Sequence, residues 1–249
     1  MGTSTSSKGP NNRSPLVPPW ADVDGAGPGP EPTPNRFQGF RTSLGRFVAT
    51  GDGEQMRKGL RAYAQTATGG SAVGPRRFGA MAQAGAGLFN TLNTLRANPA
   101  NAPLNLAALA GRSTREVIEA LVEALVPENG DADRIRVALN EALSSCLQGV
   151  EDFDFGTITD ETLVELMVAY TALCVFEQVV LDSKDAFNKA ESSERARAAE
   201  DELWVLVEAV TDKHLQPLLQ NRVGVMTAAD MQAAQMRAIE EVWREWEGY

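Results

Sequence analysis

The most reactive group this sequence offers at neutral pH lies at its start. Gly2 follows Met1, so removal of the initiator methionine exposes a glycine α-amine. An α-amine titrates near 7.7–8.0 and a lysine near 10.4, so at pH 7 the neutral, nucleophilic fraction of Gly2 exceeds that of Lys8 by roughly 400-fold. Such an amine is an acceptor for modification by a partner enzyme. The other candidate groups do not assemble into catalytic motifs. His214 is the only histidine; it has Asp212 nearby but no serine or cysteine at a nucleophile motif, and reads as structural. Cys146 and Cys174 fall inside apolar helical patterns and read as buried free thiols in a reducing cytosol. Two cysteines and one histidine are too few for a structural zinc site. The run Glu151-Asp152-Phe153-Asp154-Phe155-Gly156 is acidic, but counted from Asp152 its glycine is fifth and Leu163 twelfth. A calcium loop needs glycine sixth and glutamate twelfth. The pairs Glu240-Glu241, Asp201-Glu202 and Glu119-Glu123 suit exposed helix faces. Gly85-x-Gly87 has no preceding strand, and Asn90 stands where a third glycine belongs; no Gly-Lys-Ser/Thr loop or HExxH is present. The sequence predicts neither a metal nor a cofactor.

The segment that carries Gly2 has little means of folding by itself. Residues 1–36 hold eight of the thirteen prolines, with Gly, Ser, Thr and Asn filling most of the rest. Such composition cannot bury enough surface to offset chain entropy, which predicts a flexible arm, partly polyproline II. The exception is Leu16-Val17-Pro18-Pro19-Trp20, an apolar island that reads either as a docking element for a partner or as a fold-back onto the chain's own body. Extended at about 3.1 Å per residue, the arm spans up to roughly 100 Å, against a radius near 17 Å for the folded remainder.

The net charge of −10 conceals a division. Residues 36–115 carry +9 and residues 116–249 carry −18. The asymmetry points to partner electrostatics or to a basic segment packed on an acidic one. Three regions follow: a flexible N-terminal arm over 1–36, a basic Gly/Ala-rich helical region over 37–100, and an acidic helical bundle over 101–249. No run of about 18 apolar residues signals a transmembrane helix, and an apolar signal-peptide core is missing. A cytoplasmic protein without membrane contact is expected.

Helical periodicity dominates the body. Met56, Leu60 and Tyr63 mark an amphipathic helix over about 53–67, ended by Gly69-Gly70. Pro75 suits the start of a helix over about 75–96. Ser113-Thr114-Arg115-Glu116 is a capping box ahead of Val117, Ile118 and Leu121. Asp131 or Asp133 caps the helix of Ile135, Leu139 and Leu143, and Thr159 caps one over about 160–183. A helix from Glu191 to Val210 follows, with Pro217 breaking or kinking the segment after His214. Thr227 caps the last helix, whose Trp243, Trp246 and Tyr249 read as core. With no period-two alternation, the prediction is all-α: a helical bundle preceded by a disordered Pro/Gly/Ser-rich arm.

The opening MGTSTSSKGP, the LVPPW island and the stretch FRTSLGRFVATGDGEQMRKGLRAYAQTATGGSAVGPRRFGAMAQAGAGLF resemble the QatB family, a component of the bacterial Qat anti-phage defence system. The resemblance implies three partners: a QueC-like protein (QatC), a P-loop ATPase (QatA) and a TatD-like nuclease (QatD). QueC enzymes use ATP to activate the carboxylate of a 7-deazaguanine and couple it to ammonia. By extension, the Gly2 amine replaces ammonia and an amide joins a deazaguanine to the N-terminus. The resemblance places Thr3, Ser4, Thr5, Ser6, Ser7, Lys8, Gly9 and Pro10 in the partner's channel, and Leu16, Val17, Pro18, Pro19 and Trp20 at a docking site beside it. The chain is then substrate and adaptor, not an enzyme.

Two rival readings remain. The basic set Arg36, Arg41, Arg46, Arg57, Lys58, Arg61, Arg76 and Arg77, interleaved with Phe37, Phe40, Phe47, Tyr63 and Phe78, suits a nucleic-acid-binding adaptor that recruits the nuclease. The start also satisfies the M-G-x-x-x-[ST] myristoylation pattern, although no polybasic cluster beside the arm supplies the second anchoring signal.

Overall fold

The computed structural model describes residues 14–23, 25–27, 29–97, 109, 111–148 and 154–249. Among them are eight α-helices and no strand: α1 Gln38–Thr50, α2 Gly53–Ala62, α3 Gly79–Ala97, α4 Thr114–Leu125, α5 Ala132–Cys146, α6 Asp160–Ser183, α7 Ser193–Leu219 and α8 Ala228–Glu247. The chain is all-α.

Local signals set most helix ends. The Asp52 carboxylate accepts from the Glu54 amide at the start of α2, and Thr159 and Ser192 do the same for α6 and α7. Ser113 with Glu116, and Thr227 with Asp230, form reciprocal capping boxes on α4 and α8. Each cap satisfies amides that the helix leaves unpaired, at about 1 kcal/mol per cap. Gly51, at φ 75°, closes α1 by donating its N–H to the Phe47 carbonyl.

Two details differ from the sequence reading. Asp131 occupies the N-cap position of α5, but its side chain makes no capping bond and instead pairs with Arg134. Nor does Pro217 end the segment after His214: α7 runs on to Leu219. The proline's missing amide therefore falls in the final turn, where an interrupted ladder affects least of the helix.

α6 is apolar around its whole circumference, the mark of a helix enclosed by others. Its length and composition would suffice to cross a membrane, but α5, α7 and α3 pack around it and Leu163, Met167, Tyr170, Val175 and Val179 are buried. α8 fits between α3 and α7. Close approach of α3, α6 and α8 requires Gly85, since a Cβ there would lie 2.5 Å from Gln235 Nε2 and 2.6 Å from Tyr170 Cε1. α1 and α2 form a hairpin whose Phe40, Leu44, Phe47 and Leu60 enter the same core. Side chains of the basic region and of the acidic bundle thus share one core cluster, from Phe37 to Trp246.

A π-helical turn, Tyr63–Ala67, extends α2 into that core. Trp243, Trp246, Phe40 and Phe78 surround it, with Tyr63 ring centroids 4.7 Å from Phe40 and 5.8 Å from Trp243. Thr68 follows the π turn and accepts a hydrogen bond from Trp243 Nε1 at 2.8 Å. Its hydroxyl in turn lies 3.0 Å from the Tyr63 carbonyl oxygen.

Candidate functional site

Gly2, Thr3, Ser4, Thr5, Ser6, Ser7, Lys8, Gly9 and Pro10 lie outside the described residues. The LVPPW island lies within them, and it rests on the chain's own body. Leu16 and Val17 are buried, Pro18 is half-buried, and Pro19 and Trp20 are exposed, Trp20 by 45%. The strap formed by residues 14–23 and 25–27 follows positions where the body has no side chain. A Cβ on Gly79 would lie 2.2 Å from the Ala21 carbonyl oxygen, and one on Gly130 would lie 2.5 Å from the Trp20 ring. Both glycines permit contacts that alanine would forbid.

Polar bonds hold the strap's far end. Ala21 donates to the Pro18 carbonyl at 3.0 Å, closing a turn. Asp22 accepts from Arg76 at 2.8 Å and from the Gly27 amide at 2.9 Å. The Arg76 guanidinium holds the Asp22 carboxyl below its usual range. Of the proposed grip, then, Leu16 and Val17 contact the chain itself, while Pro19 and part of the Trp20 ring face outward.

Where α1 meets the end of α6 lies a buried charged cluster. Asp182, fully buried near the end of α6, accepts from Tyr63 Oη at 2.8 Å, Arg77 Nη1 at 2.8 Å and Gln178 Nε2 at 2.9 Å. Arg41 Nε donates to the Asp182 carbonyl at 2.8 Å. Burial opposes the Arg77 charge, but Asp182 outweighs it and holds the guanidinium above its usual pKa. Burial and the Asp182 charge push the Tyr63 hydroxyl well above its usual value. Arg36 is 2% exposed, and its Nε and Nη1 have no hydrogen-bond partner among the described residues.

This cluster changes the meaning of the basic set. Arg36 and Arg77 are buried, Arg76 is engaged by the strap, and Arg41 is tied to Asp182. Arg46, Arg57, Lys58 and Arg61 are exposed, and Arg61 donates to the Tyr249 carbonyl. Arg96 on α3 pairs with Asp160 on α6. Part of the basic segment therefore neutralises the acidic bundle of its own chain.

The remaining candidates have structural surroundings. His214 Nε2 meets Glu245 on α8 at 2.8 Å, which supplies its acid in place of Asp212. Asp154 accepts from the Gly156 amide, capping a short 3₁₀ turn. Burial pushes the Cys174 thiol up to about 12 and, with Glu165 nearby, the Cys146 thiol up to about 11. Neither is a thiolate at neutral pH. Among the described residues no group of three His, Cys, Asp or Glu could hold a metal ion.

Sequence reasoning missed the strap's Asp22–Arg76 latch and the Asp182 centre. The second left a signal: Asp182 closes the mainly apolar run Cys174 to Leu181, which Glu177 and Gln178 alone interrupt. In such a position a carboxylate needs an internal partner.

A model of the family described as Qat anti-phage system associated protein QatB matches residues 69–246. No curated protein and no solved structure shows significant similarity. The match begins at Gly69, against Leu16 of the strap, and covers Arg77, Gln178 and Asp182 of the buried centre with α3 to α7 and α8 as far as Trp246; Arg41 and Tyr63 lie before it.

Proposed function

The chain belongs to the QatB family and is thus a component of a Qat anti-phage system; from that premise we propose that it is a non-enzymatic substrate and adaptor for a QueC-like partner. The carrying observation is the strap. Leu16, Val17 and Asp22 fix one end of the N-terminal segment on the body, so Gly2 is tethered at a defined exit point. With Met1 removed, twelve residues precede Ser14, and at about 3.1 Å each they extend up to about 37 Å, enough for a terminal amine to enter a deep pocket of a second protein. Pro19 and the outer part of the Trp20 ring, exposed on the same strap, are a contact for the same partner. In the cytoplasm the partner joins AMP from ATP to the carboxylate of a 7-deazaguanine, releasing pyrophosphate. The Gly2 amine then attacks the activated carbonyl, an amide forms and AMP leaves. The body's own thiols, held protonated, offer no competing nucleophile. The P-loop ATPase and TatD-like nuclease are further partners on this reading.

Intact-mass spectrometry of the chain co-expressed with the QueC-like protein tests it. The expected species lacks Met1 and carries one deazaguanine acyl group. Gly2→Pro, which leaves a secondary amine, abolishes that addition without changing the fold. A mass showing methionine loss alone, with the partner active, would refute the proposal.

The nucleic-acid alternative retains Arg46, Arg57, Lys58 and Arg61 as exposed cations. It requires salt-sensitive DNA binding that charge reversal at those four positions removes.

A further inference from the structure

At the root of the strap, between the start of α1 and the outer face of α2, lies a cavity of about 630 Å³. Arg36, Arg46 and Lys58 line it together with Asn35, Ser43 and Thr66, and no carboxylate does. Such a wall has a net positive charge in a chain that carries −10 overall. Arg46 and Lys58 are exposed, and neither forms an ion pair among the described residues.

Arg36 is the unusual member. It stacks over the Phe37 ring at 4.9 Å and is almost wholly buried, with Nε and Nη1 closed to solvent and without hydrogen-bond partners among the described residues. Asp182 attracts it, but Asp182 already accepts from Tyr63, Arg77 and Gln178. Burial and repulsion from Arg77 push Arg36 down to about 10, which still leaves it cationic at neutral pH. Buried behind the cavity wall without a counter-charge of its own, that guanidinium favours an anion in front of it. The cavity's volume falls within the roughly 300–1,000 Å³ of small-ligand sites.

We propose that this cavity binds the phosphate groups of a nucleotide-sized ligand, with Arg46 and Lys58 holding the phosphate oxygens and the Arg36 charge behind them. The site is independent of Gly2 and of the strap's role toward a partner, so either assignment stands if the other fails.

Isothermal titration calorimetry on the full chain, in phosphate-free buffer of low ionic strength, tests it. The probes are ATP, inorganic pyrophosphate and adenosine. ATP is expected to bind saturably at one site and adenosine not to bind. Saturable binding of pyrophosphate as well assigns recognition to the phosphates alone; binding of ATP without pyrophosphate adds a contact to the nucleoside. The double variant Arg46→Glu/Lys58→Glu, changed only at exposed positions, should keep its melting temperature and bind ATP at least roughly tenfold more weakly, the loss expected for charged hydrogen bonds. Arg36→Gln, which removes the charge behind the wall, should weaken ATP binding; because it alters a buried site, its circular dichroism and melting curve are measured alongside. Absence of saturable heat with ATP and pyrophosphate at millimolar concentration overturns the proposal. So does undiminished ATP affinity in the double variant, equal affinity for adenosine and ATP, or binding confined to oligonucleotides.

Discussion

Asp182→Asn isolates the charge at the centre of the fold while keeping its shape. The native carboxylate is fully buried and lies 2.8 Å from Arg77 Nη1, itself only 7% exposed. Asparagine retains an oxygen that can accept from the Tyr63 hydroxyl, so packing and one hydrogen bond survive. What disappears is the counter-charge. At an effective dielectric near 20, two unit charges about 4 Å apart attract by about 4 kcal/mol, and leaving one member of a buried pair uncompensated costs about 3–5 kcal/mol. Asp182 also offsets Arg36 and Arg41, which places the expected loss at the upper end of that range. A domain of this size melts about 2–4 °C lower per kcal/mol, so a fall of roughly 10–15 °C is expected. Urea denaturation is the suitable assay, because guanidinium ions would screen the interaction under study.

A second variant separates charge from packing. Arg77→Met removes the buried cation that Asp182→Asn strands. The double variant should recover about 1–2 kcal/mol relative to the sum of the single losses, since an apolar pair of similar volume commonly replaces a buried ion pair with little penalty. A loss below about 1 kcal/mol for Asp182→Asn would refute the reasoning, for a burial this complete leaves solvent no route to compensate. Strict additivity of the two losses would refute it equally, by showing that the residues do not interact.

Three further outcomes follow from the geometry. Gly79→Ala places a Cβ against the Ala21 carbonyl and Val23 and should dislodge the strap; chymotryptic cleavage after Trp20 should then quicken by roughly tenfold, the factor for about 1.4 kcal/mol, and an unchanged rate would mean that Ala21 does not rest there. Hydrogen bonds from Lys213 and His214 outweigh burial and hold the Glu245 carboxyl below its usual range, so the stability it contributes is complete above the unfolded pKa, about 4.3, and is lost as pH falls through the lower folded value. The wild-type protein should accordingly lose more stability than Glu245→Gln between pH 5 and 3, as read by thermal melts. With thiols raised to about 11 and 12, Cys146 and Cys174 should resist iodoacetamide at pH 8 in the folded chain and react fully in urea, Cys174 being the slower because it is buried; rapid labelling of the native chain would contradict their placement.

Much of the helical body was legible because its signals are local. A capping box needs only Ser113 and Glu116, and Thr159 or Thr227 announces a helix start within four residues. The burial of Trp243 and Trp246 followed from their spacing on one helix. α1 was not resolved as a separate element, because Phe40, Leu44 and Phe47 are surrounded by polar and small residues that blur its stripe; its start has no side-chain cap and its end depends on the left-handed Gly51. Pro217 misled because a proline's effect depends on how many turns follow it, and here the helix was already closing.

The strap and the Asp182 centre were not legible for a different reason: each joins residues far apart in the chain. Asp22 meets Arg76 and Asp182 meets Arg77, so two neighbouring arginines serve opposite purposes, one latching the N-terminal segment and the other neutralising the core. Adjacent residues in a 3₁₀ turn, Gly74–Phe78, point in different directions, and only the packing of the π turn and α6 decides which side chain is enclosed. Summed charge over residues 36–115 cannot distinguish a cation that faces a partner from one that faces Asp182. Glycine content carries the same ambiguity: Gly79 and Gly130 read as helix or loop punctuation until the strap lies on them. A segment of prolines and glycines can therefore have a fixed seat wherever the body supplies matching gaps and one ion pair, and its low hydrophobicity describes only what it would do alone.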